Sequence, residues 1–505
     1  MKELELYIHI PFCVRKCAYC DFLSGPAGEP EREEYLEALV KEIRSAGDMG
    51  RGCQVSSVFL GGGTPSILTP EQIGGILYAV RETFTLAKDA EITMEYNPGT
   101  GESERMADYL KIGVNRLSIG LQSADDGELR ILGRIHTWKE FLKTYEEARK
   151  AGCDNINIDL MSAIPGQTLN SYERTLEKIC RLLPDHVSAY SLILEEGTPF
   201  GNWYEKSPHP AGHPPLPDEE TERQMYERTK EILHGYGYER YEISNYAKEG
   251  KMCRHNIGYW KRVPYLGFGV GAASLWKEKR WSNIRDRRQY VALWKEHKPR
   301  EASRMIRENM QMISVREAQE ETFFLGLRMM EGVSESRFED TFGCAIEDVY
   351  GKELKKSEEE IYRALCVSNL VALNQKRYIG SLSAYCGAVC AAAGAGAGIT
   401  YLCGGNLEQI QNTVVNTIAD AGGIVCDGAK PSCAAKIATS LQAAILSHKM
   451  AMRGLVFGSG EGLVMDCPED TIKAVGYVGR AGMKQTDVEI LNLMIGKTKI
   501  EDIEK

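Results

Sequence analysis

Apolar positions along the first two hundred residues switch repeatedly between a period of two and a period near 3.6. Residues 4–10 alternate and are rich in β-formers, which predicts a strand. After Pro30, Tyr35, Leu36, Leu39, Val40 and Ile43 fall on one helical face, and Gly47 marks a stop. Strands follow over 55–60, 91–96, 114–121, 155–160 and 187–194, with helical patterns before the strands at 91, 155 and 187. Thr69-Pro-Glu-Gln72 and Thr137-Trp-Lys-Glu140 read as capping boxes that open two of those helices. This rhythm predicts βα units and a parallel sheet, with chemistry at the C-terminal ends of the strands.

Beyond 197 the pattern loosens. Residues 197–220 are rich in Pro and Gly and read as a long excursion, after which Met225, Ile232 and Leu233 mark another helix. A charged segment over 277–310 leads to a helical stretch at 321–331 and a small α-rich subdomain ending near 350. Around 351–362 the character changes to a Cys-, Ala- and Gly-rich chain, which places a domain boundary there. Residues 378–407 carry no charged side chain, long enough to span a bilayer. Their GAVCAAAGAGAG core favours a packed interior helix instead, because Ala and Gly supply little transfer energy.

Composition narrows the class. A chain of 505 residues, 43% hydrophobic and 26% charged, is ordinary for a soluble globular protein of two or more domains. A net charge of −10 excludes the basic footprint of a nucleic-acid binder. The fifteen cysteines, with a strand rather than a leader at the start, predict thiols in a reducing cytoplasm.

Three of those thiols carry the chemistry. Cys13, Cys17 and Cys20, spaced C-x3-C-x2-C after the first strand, suit three irons of a [4Fe-4S] cube with the fourth iron open. A zinc site would want a fourth ligand, and spacing alone establishes only a cluster site. Gly61-Gly-Gly-Thr-Pro65 after the second strand is a turn whose bare backbone can approach a ligand, or a plain structural turn. Glu95, Gln122, Arg134 and Asp159 lie at or just beyond predicted strand ends, where polar residues line a ligand site.

The run 7–22 resembles the signature of the radical SAM superfamily. With 61–65, EYNPG at 95–99, RLSIGLQS at 116–123, NIDLMSAIPGQT at 157–168, YEISNYA at 241–247 and CRHNIGYW at 253–260, residues 1–350 resemble the family of oxygen-independent coproporphyrinogen III oxidase and the radical SAM heme chaperone. The resemblance implies a partial parallel (β/α) barrel of the radical SAM type, in an α/β fold with a small α-rich subdomain. It divides the chain into a radical SAM core over 1–235 and a chaperone- or oxidase-like C-terminal region over 236–350. It implies a [4Fe-4S] cluster on Cys13, Cys17 and Cys20, and S-adenosylmethionine against Tyr7, Tyr19, Gly62, Gly63, Thr64, Glu95, Gln122, Arg134 and Asp159.

The decarboxylating oxidases of that family carry a cysteine where this chain has Phe22, and the chaperones a His-Asn-x-x-Tyr-Trp motif like His255–Trp260. Heme binding and transfer to a hemoprotein is therefore the implied function, with radical decarboxylation as the alternative. His255, with Cys253 as an alternative ligand and Tyr259 and Trp260 as flat faces, are the heme-binding candidates; a hydrogen-bonded loop histidine is the competing reading of His255. The implied partners are heme, a recipient hemoprotein and an electron donor such as a flavodoxin or ferredoxin. No nucleic acid and no transmembrane span are expected, and peripheral membrane contact stays open.

Residues 356–505 resemble a second family, the α-chain of iron–sulfur L-serine dehydratases and the L-cysteine desulfidases, on the stretches 379–387, 424–433 and 482–487. That resemblance implies a mainly α-helical, Ala/Gly-rich domain and a second [4Fe-4S] cluster on Cys386, Cys426 and Cys433, for which small core residues are the competing reading. Asp427 and Lys430 would suit an anionic substrate, or form a surface turn. The family's N-terminal half has no counterpart here. A gene fusion or joined reading frames would both produce the junction near 349–362.

Overall fold

The computed structural model describes residues 2–100, 105–204, 207–354, 356–380, 383–426 and 433–494. It divides into two compact units, residues 1–345 and 346–505.

The first unit is built on one mixed sheet. Strands β1 (Lys2–Ile10), β2 (Cys53–Gly62), β3 (Leu86–Tyr96), β4 (Arg116–Gln122), β5 (Ile156–Ser162) and β6 (His186–Ser191) lie side by side in chain order, all parallel. Helices Glu29–Ser45, Pro70–Thr83, Trp138–Lys150 and Leu169–Cys180 supply crossovers between them. Side chains alternate along a strand, and one face is apolar: Leu117, Ile119, Leu121, Ile156, Ile158 and Leu160 are all fully buried, while Ser118, Gln122 and Asp159 occupy the other face. Both capping boxes form: Gln72 N–H donates to Thr69 Oγ1 at 3.3 Å and Glu140 N–H to Thr137 Oγ1 at 3.3 Å, with the reciprocal bonds present.

The sheet does not close. After β6 the chain adds β7 (Glu239–Arg240) and β8 (Asn245–Ala247) antiparallel at one edge. It then crosses to the other edge, where β9 (Tyr265–Phe268) pairs parallel to β1 and is followed by antiparallel β10 (Ala273–Trp276), β11 (Lys279–Asn283) and β12 (Arg307–Met312). The charged segment expected over 277–310 thus holds two strands and two helices. Within it Arg280 meets Glu321 at 2.7 Å. Helix Val315–Gly326 begins and ends earlier than the predicted 321–331, because Ser314 and Glu317 form a capping box.

The second unit is helical, with Glu358–Ile379, Gly387–Leu402, Leu407–Ala421, Cys433–Ala451, Pro468–Tyr477 and Lys484–Met494. Gly387–Leu402 is its central helix. A side chain at Gly394 would lie 2.5 Å from the Ser368 carbonyl, so the small residues serve close backbone packing. Among the described residues no helix is long and apolar enough to cross a membrane.

Candidate functional site

The cysteine loop leaves β1 at Ile10 and is pinned at several points. Cys13 N–H donates to the Gly25 carbonyl and Gly25 N–H to that of Pro11, at 3.0 and 3.1 Å, which closes the loop on itself. Ala18 N–H donates to the Leu132 carbonyl at 3.1 Å, and the Arg15 guanidinium to that of Gly133 at 2.7 Å. Cys13, Cys17 and Cys20 are free thiols, all half-buried, and all line one cavity. Burial pushes the Cys20 thiol up to about 11, and the charges of Cys17 and Cys13 push the same way. Three thiolates that repel one another want a cationic guest between them.

Among the described residues no three His, Cys, Asp or Glu side chains are drawn tightly enough together to share a single metal ion. The donor set of three thiols with no fourth ligand suits a cube, in which each thiolate takes its own iron, better than mononuclear zinc. Arg134 Nη1 donates toward Cys17 Sγ at 3.8 Å.

The rest of the wall comes from the C-terminal ends of the neighbouring strands. Gly62 has φ +108° and donates its N–H to Glu95 Oε2 at 3.0 Å; a Cβ there would fall 2.5 Å from the His9 ring. Gly63 touches the cysteine loop directly, since its Cβ would fall 2.5 Å from the Phe12 carbonyl oxygen. The glycine turn therefore sets how closely the second strand approaches the thiols. Arg134 is held by the Asn97 side-chain oxygen at 2.6 Å and the Gly120 carbonyl at 2.5 Å. Gln122 adopts φ +75°, a strained conformation for a side-chain-bearing residue at a strand end.

Two carboxylates face the cavity without a cation between them. Asp159 accepts from Asn157 Nδ2 at 2.8 Å and Ser118 Oγ at 3.2 Å, and burial raises its pKa. Burial, then the charge of Asp159, pushes Glu95 up to about 8. Such a pair receives ammonium or hydroxyl donors well. The linkage has a definite sign. A carboxyl whose folded pKa lies above its unfolded value stabilises the fold below pH 4.5, and that contribution is lost as pH rises through about 8. The ligand-free Glu95→Gln variant is expected to match wild type at the acid end and to melt higher above about pH 8. Because the carboxyl borders an open cavity, the gain is on the order of 2 kcal/mol rather than the full shift. Thermal melts of both proteins across this range check it.

Cys13, Cys17, Cys20, Tyr19, Gly62, Gly63, Thr64, Glu95, Gln122, Arg134 and Asp159 thus line one cavity of about 800 Å³, mouth included. Tyr7 does not line it. Its hydroxyl bonds to His9 Nδ1 at 3.0 Å, and it faces a neighbouring groove. Asn97 and Ser118 were not singled out from the sequence, although Asn97 lies inside the 95–99 run.

The heme candidates lie elsewhere. His255 is 1% exposed and stacks on Phe59 with ring centroids 5.1 Å apart. Its Nδ1 bonds to Ser57 Oγ at 2.8 Å and its Nε2 to the Tyr259 hydroxyl at 3.2 Å, so neither nitrogen is open in this conformation. Burial lowers its pKa to about 3, which keeps the ring neutral. Cys253, also 1% exposed, directs its thiol at Glu91 Oε1, 3.4 Å away, and burial raises it to about 12. Tyr259 lines the same groove as Tyr7, and Trp260 packs under the Arg328 guanidinium at 4.3 Å.

In the second unit, Cys386 N–H donates to the Ile424 carbonyl at 3.2 Å and Cys426 N–H to that of Ala384 at 2.6 Å, so those two cysteines sit on adjoining chain segments. Cys433 opens helix Cys433–Ala451. Asp427 and Lys430 lie outside the described residues.

The radical SAM superfamily model matches residues 7–179, the HemN C-terminal domain model 313–362, and the serine dehydratase alpha chain model 345–492. The heme chaperone HemW of Escherichia coli strain K12 is 41% identical over 54% of this chain and 70% of its own length. That of Bacillus subtilis strain 168 is 35% identical over 70% of this chain and 91% of its own. The solved structure of the radical SAM coproporphyrinogen III oxidase HemN from Escherichia coli overlays with a TM-score of 0.60 at 24% identity, covering 70% of this chain and 82% of that one. It shares the fold.

Proposed function

This chain belongs to the heme chaperone family of radical SAM proteins, and we propose from that premise that it binds heme and passes it to a hemoprotein. The observation that carries the reading is the placement of Phe22, two residues after the third thiol. It is 63% exposed and forms a wall shared by the thiol-lined cavity and the aromatic groove beside it. A chain that kept decarboxylation chemistry would gain from a polar or thiol donor at that point, between cofactor and substrate. Phe22 supplies only an apolar face.

Cys13, Cys17 and Cys20 hold the [4Fe-4S] cluster, which when bound supplies redox capacity and an open iron for S-adenosylmethionine. The chain's own residues do the positioning. Gly62 and Gly63 let the second strand approach, Glu95 and Asp159 receive cationic and hydroxyl groups, and Arg134 keeps its guanidinium beside Cys17 Sγ. Tyr19 closes the cavity against Phe200, with ring centroids 6.5 Å apart. Among the described residues, the second cluster on Cys386, Cys426 and Cys433, and lyase activity toward serine or cysteine, have no such gathered wall behind them.

Heme titrated into the reconstituted full chain is expected to give a saturable Soret shift, and anaerobic incubation with coproporphyrinogen, S-adenosylmethionine and reductant no protoporphyrinogen. Product formation without a Soret shift would assign the chain to the oxidase reading instead.

A further inference from the structure

The groove beside the cluster cavity has a shape that the cavity lacks. Its walls are aromatic: Tyr7 from β1, Phe22 from the loop after the third thiol, and Tyr259 and Tyr265, whose rings meet edge to face with centroids 4.7 Å apart. Its floor is the turn Val270 to Ala273, where no side chain exceeds a valine. That turn is pressed against the loop after the cysteines, since a Cβ on Gly271 would fall 2.8 Å from Leu23 Cδ2. The space between is about 830 Å³ with its mouth included.

One charge on the rim stands apart from its neighbours. Arg280 and Arg287 are each paired with a carboxylate, Glu321 and Glu31. Arg285, between them and lining the groove, is exposed and makes no ion pair or side-chain hydrogen bond among the described residues. The nearest acidic cap, Asp286, is engaged by Gln289 N–H at 2.8 Å. Asp21 on the facing lip lies beyond ion-pair distance of Arg285. An aromatic-walled groove with one guanidinium free of ion pairs suits a planar, aromatic ligand bearing a carboxylate at its edge.

We propose that this groove, walled by Tyr7, Phe22, Tyr259 and Tyr265, is the seat of the porphyrin ring, and that Arg285 anchors one of its propionates. The assignment rests on the heme-binding reading above and adds its location and its anion anchor. It also gives the Tyr259–His255 bond a place in the binding step: Tyr259 stands between the groove and His255 Nε2, so release of its hydroxyl opens that nitrogen to the seat.

The test compares heme with its dimethyl ester, in which both propionates are blocked, on wild type, Arg285→Ala, Arg285→Lys and Phe22→Ala, by titration of the full reconstituted chain. Wild type is expected to prefer heme over the ester by about tenfold, the loss of one charge-assisted contact. Arg285→Ala should lose most of that preference and Arg285→Lys recover part of it. Phe22→Ala should weaken both ligands by a similar factor. Because Arg285 and Phe22 are exposed, iron content and melting temperature should stay at wild-type values, so a changed affinity is not a folding effect. Arg285→Ala with wild-type affinity and wild-type discrimination overturns the placement alone. A wild type that takes up no heme overturns the functional reading as well.

Discussion

Replacing Cys13 with alanine should strip the reconstituted protein of about four irons per chain, the content of one cube. The same replacement at Cys386 should leave the iron count unchanged. The difference follows from how the two thiol sets are held. Cys13, Cys17 and Cys20 sit on one short loop whose backbone is tied at Gly25, Leu132 and Gly133, and their charges act on one another inside one cavity. Cys386 and Cys426 adjoin through backbone bonds, but Cys386 is buried 5% exposed beside Cys390, as a core residue is. Losing one of three thiolates removes a cluster corner and leaves the others repelling without a counter-charge, so partial retention is not expected. Iron and acid-labile sulfide analysis of the two variants decides it. Equal iron loss on Cys386→Ala would mean the second unit carries a cluster.

His255→Ala should cost about 3 kcal/mol of folding stability, independent of any heme. The side chain fills space against Phe59 and satisfies Ser57 and Tyr259, both of which lose a partner when the ring is removed. Glu5 makes the loss worse. It is 1% exposed, accepts a bond from Ser57 Oγ at 3.1 Å, and its Oε2 has no hydrogen-bond partner among the described residues. Burial raises its pKa well above the usual carboxylate range. Truncating His255 next to it opens a polar void. Urea unfolding of the variant measures the cost, and an unchanged midpoint would mean that His255 is not the structural centre of this cluster. A heme titration on His255→Ala has to be read beside that unfolding curve. The groove variants at Arg285 and Phe22 avoid the difficulty.

Local signals in the chain carried the parallel half of the fold. The capping boxes at Thr69 and Thr137 form, and the strands expected over 55–60, 91–96 and 114–121 fall on β2, β3 and β4, which run to Gly62, Tyr96 and Gln122, because the face each strand turns to the core is apolar. The antiparallel extension from Tyr265 to Met312 was not legible. Its strands are four to six residues long, and β11 carries Lys279 and Arg280, so no alternation rises above the charge.

The site shows the same split. Residues that follow one another along a loop or sit at strand ends could be placed from sequence, and the thiols, the glycine turn, Glu95 and Asp159 do share a cavity. Tyr7 and His255 could not, because their surroundings come from distant segments. His255 is held by Ser57 and Phe59 of β2, about two hundred residues away in the chain, and no linear motif announces that contact. The free guanidinium of Arg285 was equally invisible, since only the folded chain reveals which arginines already have carboxylate partners.

The central claim is that the chain hands heme on, and the most direct test is transfer itself. Heme-loaded full chain mixed with an apo-hemoprotein, followed by the Soret band of each, should show heme leaving the chain and the recipient acquiring its holo spectrum. Heme on the Arg285→Ala variant, which has lost its propionate anchor, should leave at least as fast. Heme that stays on the wild-type chain while the recipient remains apo would contradict the account.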